Sequence, residues 1–309
     1  MGLPLISVFD PWRSKLCTCP FKYSVAPYTG CGHRCVYCYI TGYVRDAFNP
    51  RPKKDFSRRF TREILKLKPG SILEVSASSD PYQPLEERYR YTRLILEWSL
   101  KLGVRVLIVT KSHMVVRDAD LIRKVASVSF TITTLDEKLS RRLEPHASNP
   151  NLRLKALRTL SKRGVKCSVR VDPIVPLINS SEEPIRMVVK AAAEAGALHI
   201  ISSTFKARWD SISRIARAFP EVSDKIKDLY TSGERISGYL YLPARERYRL
   251  MKIVGEAASD YGLTFSTCRE GFPQLNTGLS CDGSHLIPEA KRRPLGRVDG
   301  YALHTNDYG

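Results

Sequence analysis

The sequence predicts an α/β protein whose parallel sheet curls into a partial (β/α)6 TIM-type barrel, with N- and C-terminal extensions. Three observations predict it. Short β-branched runs alternate with longer amphipathic stretches, as βαβ units require. Glycines stand where the amphipathic stretches should stop. Polar residues gather at the ends of the β-branched runs, where barrels and open sheets place their sites. Roughly 230 residues suit six such units better than eight, which typically need about 250.

The expected strands are residues 22–26, 71–77, 105–111, 127–134, 166–174 and 197–203, each rich in Val, Ile, Ser or Thr and bounded by Gly, Pro or Asp. Expected helices fill the gaps at 56–67, 89–102, 117–126, 151–162 and 182–195. In the fourth, Leu152, Leu154, Ala156, Leu157 and Leu160 form an apolar stripe, which leaves Arg153, Lys155, Arg158, Lys162 and Arg163 as a solvated face. Gly70, Gly103, Gly164 and Gly196 close four of the helices. Beyond Trp209 the alternation weakens, and one more helix is expected at 244–261. The chain thus divides into an extension at 1–21, a barrel at 22–265 and a cysteine-containing segment with a basic tail at 266–309.

The 309 residues carry 50 Lys and Arg against 31 Asp and Glu, a formal charge of +19. A chain that is 43% hydrophobic buries a real core and is no disordered basic tail. No apolar run has the 18 residues of a membrane span, and residues 1–11 lack a secretory signal pattern, so the cytoplasm is the expected location. The positive excess points to a polyanion, nucleic acid before membrane. A basic thermophile-like surface explains it equally, and the scarcity of Gln (only Gln83 and Gln274) fits that reading. Residues 45–68 hold nine basic and three acidic residues, which makes Arg51, Lys53, Lys54, Arg58 and Arg59 candidates for substrate phosphates.

Eight cysteines in a cytoplasmic chain point to metal or redox chemistry. Cys31, Cys35 and Cys38 place three thiolates on one short loop after the first strand. Thiolates favour zinc or iron–sulfur clusters. Zinc would need a fourth ligand, for which His33 stands closest in sequence. A [4Fe–4S] cluster held by three cysteines keeps one iron open for chemistry.

Cys31-x-x-x-Cys35-x-x-Cys38, with Tyr37 before the last cysteine, resembles the signature of the radical S-adenosylmethionine (SAM) superfamily. Its context, Ala26-Pro27-Tyr28-Thr29-Gly30-Cys31-Gly32-His33-Arg34-Cys35-Val36-Tyr37-Cys38-Tyr39, is similar to the spore-photoproduct-lyase-like branch, a DNA-repair-photolyase-like group. Further matches are Ser79-Asp80-Pro81-Tyr82-Gln83-Pro84, Thr110-Lys111-Ser112, Leu143-Glu144-Pro145-His146 and Arg170-Val171-Asp172-Pro173-Ile174-Val175-Pro176, with a looser one at Thr267-Cys268-Arg269-Glu270. The resemblance implies the radical SAM core barrel and a [4Fe–4S] cluster on the trio. Its open iron would bind the amino and carboxylate groups of SAM. One electron would then cleave SAM to methionine and a 5′-deoxyadenosyl radical that abstracts hydrogen from substrate. Tyr37 and Tyr39 would flank the adenine, and Ser79, Asp80 and Lys111 match the family's other SAM contacts. Charge supports two of these, since Asp suits an ammonium and Lys a carboxylate. Arg170 is either a SAM or substrate contact or the partner of a carboxylate such as Glu144. A flavodoxin- or ferredoxin-type protein would supply the electron.

The chain also departs from that pattern. Where the DNA-repairing lyase has a hydrogen-donor cysteine, this sequence has Ala77, whose methyl group cannot return a hydrogen atom to a product radical. Cys167 reads as a small buried hydrophobe. Cys17, Cys19, Cys268 and Cys281 form a second centre (an auxiliary cluster or zinc) if the chain ends meet; otherwise they are buried thiols or a Cys268–Cys281 disulfide. The expected substrate is DNA or RNA, with a peptide or small molecule as the alternative within the same chemistry. A non-catalytic, zinc-stabilised nucleic-acid-binding protein is the alternative outside it. The oligomeric state is open.

Overall fold

The structure, a computed structural model, describes residues 3–10, 14–75 and 78–289. Ala77 and the tail cations Lys291, Arg292, Arg293 and Arg297 lie outside the described residues. The strands in chain order are β1 (Ile6–Val8), β2 (Tyr23–Val25), β3 (Tyr28–Thr29), β4 (Arg51–Pro52), β5 (Ile72–Val75), β6 (Arg105–Thr110), β7 (Ala126–Thr131), β8 (Cys167–Ile174), β9 (Ala197–Thr204), β10 (Glu234–Ile236), β11 (Tyr239–Tyr241) and β12 (Thr264–Thr267). Eight of them form one sheet in the order β1-β2-β5-β6-β7-β8-β9-β12, antiparallel between β1 and β2 and parallel elsewhere. β1 and β12 are its free edges, and no pairing joins them among the described residues. The barrel is therefore open along one seam.

The parallel strands alternate with helices, among them α1 (Phe56–Ile64), α2 (Leu85–Tyr89), α3 (Tyr91–Leu102), α4 (Ala119–Val125), α5 (Glu137–Leu143), α6 (Pro150–Lys162), α7 (Glu182–Glu194), α8 (Trp209–Ala218), α9 (Ser223–Thr231) and α10 (Ala244–Asp260). Helix positions follow from periodicity: Phe56, Phe60 and Ile64 recur every four residues and are the buried face of α1. Strand residues follow a period of two. Leu107 and Val109 on β6 face the barrel interior beside Ser24, Glu74 and Thr131, while Val106 and Ile108 join the hydrophobic core. Burying such side chains contributes about 1.5–3 kcal/mol each, and it is this outer layer that fixes the strands.

Two expectations change. The sheet does not stop at six parallel strands, because β12 adds a seventh beside β9. Its four residues, Thr-Phe-Ser-Thr, carry too little aliphatic character to announce themselves. β12 also runs across the expected boundary at 265, and β1 lies within the expected extension. In α6, Arg153 is not solvated but fully buried, and Leu152 is exposed instead. The buried face is Arg153, Ala156, Leu157 and Leu160. A guanidinium replaces the first apolar residue of the stripe, and its carboxylate partner, Glu144, directly follows the preceding helix α5.

Candidate functional site

The cysteine loop leaves the barrel through β3, which pairs with β4 in a short hairpin. Gly30 starts the loop with φ +79°, and a Cβ there would fall 2.6 Å from the Ala47 carbonyl oxygen. Only glycine satisfies both conditions. The same carbonyl accepts the Cys31 N–H at 2.8 Å. Buried Gln83 clamps the next turn: its amide donates to the Gly30 carbonyl at 3.1 Å and its oxygen accepts the Gly32 N–H at 2.9 Å. Further on, the Cys38 N–H donates to the Cys35 carbonyl at 3.0 Å, and Arg214 of α8 donates to the carbonyls of Val36 and Cys38. The loop is held by backbone contacts, so its thiols remain available.

Beneath the loop lies a buried polar network. The Tyr37 hydroxyl donates to Glu144, whose carboxylate pairs with Arg153. Arg153 also donates to the carbonyls of Thr131 at 2.9 Å and Ser148 at 2.7 Å. Burial would raise Glu144, but Arg153 and Lys111 outweigh it and hold the carboxyl below its ordinary value. The pair explains the buried arginine of α6 and corrects one sequence expectation: the cation partnered with Glu144 is Arg153, not Arg170.

Cys31, Cys35 and Cys38 line a cavity of about 440 Å³ together with Tyr37, Tyr39, Ser79, Asp80, Lys111 and Arg170. The Ser79 hydroxyl donates to the Tyr28 carbonyl at 3.3 Å. Asp80 is fully engaged. Its oxygens accept from the Tyr82 N–H at 2.9 Å, Thr110 Oγ1 at 2.7 Å and the Lys111 N–H at 2.7 Å, and its Oδ2 lies 3.4 Å from His33 Nδ1. Burial raises the Asp80 carboxyl, but His33 and these donors bring it down to about 2. A ligand ammonium at Asp80 would therefore share or displace one of four donors. Lys111 differs: its ammonium lies 5.7 Å from the Tyr37 ring centroid and makes no hydrogen bond or ion pair with the described residues. Burial lowers it, yet the Cys35, Glu144 and Asp80 groups more than compensate, so it stays charged.

Tyr39 opens a 3-10 turn, stacks on Tyr43 at 6.4 Å and meets Tyr239 edge-on at 6.4 Å. On the far wall Arg170 donates to Asp172 at 2.7 Å and lies within electrostatic reach of Cys268. Asp172, joined to Pro173 by a cis peptide, also accepts from Ser203 Oγ. Lys206, paired with buried Glu270 at 2.9 Å, completes that wall. Sequence reasoning placed His33 near the thiols as a possible zinc ligand and Asp172 inside a quoted motif block, but did not assign Gln83 or Lys206 to the site; Gln83 stood inside another such block, whereas Lys206 gave no signal.

The five basic candidates do not line the cavity. Arg51 lies on β4, beside the strand that feeds the cysteine loop, and donates to the carbonyls of Arg45 and Asn49. Lys53 and Lys54 follow it, Arg58 pairs with Asp55 at 3.3 Å, and Arg59 donates to the Leu3 carbonyl. Cys17, Cys19, Cys268 and Cys281, by contrast, all reach the cavity, and all eight cysteines are free. Cys281 lies against Cys19, at 3.4 Å between sulfurs, rather than pairing with Cys268. Cys167 is fully buried in the core.

The donor set suits an iron–sulfur cluster. Burial pushes all three trio thiols up, Cys31 to about 12, so they ionise only with a cation to bind. No group of three or more His, Cys, Asp or Glu side chains among the described residues is arranged to hold a metal ion. His33 is turned toward Asp80 and so is no fourth zinc ligand. A cluster whose ligands sit on separate irons has no need of such convergence.

Comparison with known proteins points the same way. The description "Radical SAM superfamily" matches residues 25–192, just over half of the chain. An uncharacterized protein of Mycobacterium tuberculosis is 28% identical over 270 residues, covering 79% of this chain and 76% of that one. A radical SAM Nalpha-GlyT isomerase of Pseudomonas phage M6 is 23% identical over 261 residues, 79% of this chain and 53% of that one. Among solved structures, a spore photoproduct lyase mutant with bound AdoMet and dinucleoside spore photoproduct superposes with a TM-score of 0.66 at 18% identity, covering 84% of this chain and 80% of that chain. At that identity the likeness is one of fold.

Proposed function

The chain belongs to the radical SAM superfamily, and from that premise we propose that it abstracts hydrogen from a nucleic-acid substrate, as a repair or modification enzyme of the cytoplasm. One observation carries the chemistry: three thiols of a single loop share one cavity with the Lys111 ammonium, which has no hydrogen-bond or ion-pair partner among the described residues. Cys31, Cys35 and Cys38 would hold a [4Fe–4S] cluster. When bound, that cluster supplies the electron that cleaves SAM to methionine and a 5′-deoxyadenosyl radical, drawn from a flavodoxin- or ferredoxin-type donor. Lys111 receives the SAM carboxylate as a charge-assisted hydrogen bond. Tyr37 and Tyr39 wall the adenine. Asp80 is a positioning residue, since it fixes the Lys111 backbone and the His33 ring, and Ser79 shapes the same turn. Arg170, braced by Asp172, faces the substrate side.

Three features support nucleic acid over a peptide or small molecule. The net charge is +19. The Arg51, Lys53, Lys54, Arg58 and Arg59 cluster begins on the strand paired with the one leading into the cysteine loop. The superposed lyase structure holds a dinucleoside, and the phage relative is a Nalpha-GlyT isomerase. The test is anaerobic turnover of reconstituted protein with SAM, a reductant and deuterated DNA or RNA. Deuterium in 5′-deoxyadenosine is expected, with nucleic-acid affinity that falls steeply as salt rises. SAM cleavage without deuterium transfer and without salt-sensitive binding would move the substrate to the peptide or small-molecule class.

A further inference from the structure

Four thiols outside the trio meet across the seam of the barrel. Cys17 and Cys19 lie between β1 and β2, at one free edge of the sheet, and Cys268 directly follows β12, at the other. Cys281 comes from the segment beyond β12. That segment folds back along the strand: the Thr277 and Gly278 N–H groups both donate to the Phe265 carbonyl, and Asn276 Oδ1 accepts the Thr267 N–H at 2.7 Å. The turn delivers the Cys281 sulfur to within 3.4 Å of Cys19, from 262 residues away in sequence. Cys17 stands within electrostatic reach of Cys19, and Cys268 within that of Cys17 and Cys281.

The surrounding packing makes this a built arrangement. A Cβ at Gly271 would sit 3.3 Å from Leu16, so the segment before Cys17 rests against the chain just after Cys268. Next to Cys281, Asp282 pairs with Lys22, an ammonium only 1% exposed, which also pairs with Glu74 at 2.7 Å. Lys22 stands beside Cys19, and the guanidinium groups of Arg170 and Arg269 stand beside Cys268. Packing alone does not call for this: alanine or serine would fill the same space without placing four thiols from three segments in one cavity.

We propose that Cys17, Cys19, Cys268 and Cys281 ligate a second, iron–sulfur centre that staples the open seam of the barrel. Among the described residues no three such side chains are arranged around one ion, and a cluster that spreads its thiolates over several irons does not require that. On assembly each thiol gives its proton to solvent and its sulfur to an iron, and ferric and ferrous iron with sulfide supply the rest, so that the electron count of the cluster is met without a further oxidant. The ligands then join the segment entering β2 to the segment leaving β12, a closure that sheet pairing does not supply. The proposal stands independently of the trio.

The protein reconstituted anaerobically with ferric and ferrous iron and sulfide tests it by metal content. The variant Cys31→Ala/Cys35→Ala/Cys38→Ala should stay brown and keep roughly two to four irons per chain, with as much acid-labile sulfide. Adding Cys268→Ala and Cys281→Ala to it should remove both. If the trio variant is colourless and free of iron, the second centre does not exist. If it holds one zinc and no labile sulfide, or if peptide mapping finds Cys19 and Cys281 joined as a disulfide, the cluster assignment is overturned. Should the five-site variant fail to fold, iron and sulfide content of the trio variant alone still decides. Failure of SAM cleavage in wild type, with iron kept by the trio variant, would count against the radical chemistry and leave this centre standing.

Discussion

The cysteine trio and the cysteine quartet face the same cavity but are assembled in opposite ways. The trio occupies one loop, Cys31 to Cys38, whose backbone is clamped by Gln83, Ala47 and Arg214. The quartet draws on three segments, and Cys19 and Cys281, whose sulfurs lie 3.4 Å apart, are separated by 262 residues. Both rest on buried ion networks, Tyr37–Glu144–Arg153 under the trio and Glu74–Lys22–Asp282 beside the quartet. The difference is one of contact range. A local ligand set needs only the right loop, whereas a dispersed one exists only after the sheet has brought its free edges together.

That contrast can be broken in graded ways. The largest effect belongs to Cys35→Ala, which should reduce SAM cleavage to background while the quartet keeps its iron; undiminished 5′-deoxyadenosine formation would refute the trio's role. Next comes Arg153→Met, which strands the Glu144 carboxylate in a site with no solvent. Breaking a buried pair this way costs about 3–5 kcal/mol, so the urea midpoint should drop sharply, and iron should be lost from the trio before the quartet. Lys22→Met should cost a similar amount with the opposite order of iron loss. Equal loss from both centres in either variant would show the two regions to be one cooperative unit.

A smaller effect separates binding from assembly. Lys111→Ala should weaken SAM binding about 10- to 100-fold, the value of one charge-assisted hydrogen bond, with iron content unchanged. Equilibrium dialysis against labelled SAM reads it, and unaltered affinity would remove Lys111 from the SAM contacts. The smallest is the acid dependence. Asp80 beside the trio loop and Asp282 beside the quartet are both held at about 2 against an ordinary 3.8. Burial opposes this in each case, and His33 and the hydrogen-bond donors outweigh it at Asp80, Lys22 at Asp282. A depressed carboxyl contributes stability that is complete above 3.8 and is lost as pH falls toward 2, about 2 kcal/mol for each. Denaturation midpoints should therefore fall between about pH 4 and pH 2, and Asp282→Asn should flatten part of that slope. An Asp282→Asn curve parallel to wild type would place the acid sensitivity elsewhere.

Much of the architecture was legible because periodicity and punctuation are local properties. β6, β8 and β9 begin within a residue of their expected starts, and α3 ends where Gly103 takes φ +67°. Arg153 was misread because a helix stripe reports which face is apolar but not whether a carboxylate of the preceding turn waits against it. β12 was missed because a four-residue edge strand takes its stability from pairing with β9 rather than from its own composition. The basic run at 45–68 was plain in the sequence, yet Arg59 is partly spent on the Leu3 carbonyl and Arg58 on Asp55.

By itself the sequence determined the parallel α/β class, the three thiols and their spacing, and the family to which the chain belongs. All of these rest on residues within a few positions of one another, where chain connectivity already fixes distance. Only the tertiary structure decided that Asp80 is saturated and Lys111 is not, that Arg170 answers to Asp172 and Arg153 to Glu144, and that Cys17, Cys19, Cys268 and Cys281 share a cavity with the trio. Those are questions of which groups meet once the chain has folded. Such meetings are set by the burial of the helices against the sheet, a collective effect that no single motif encodes.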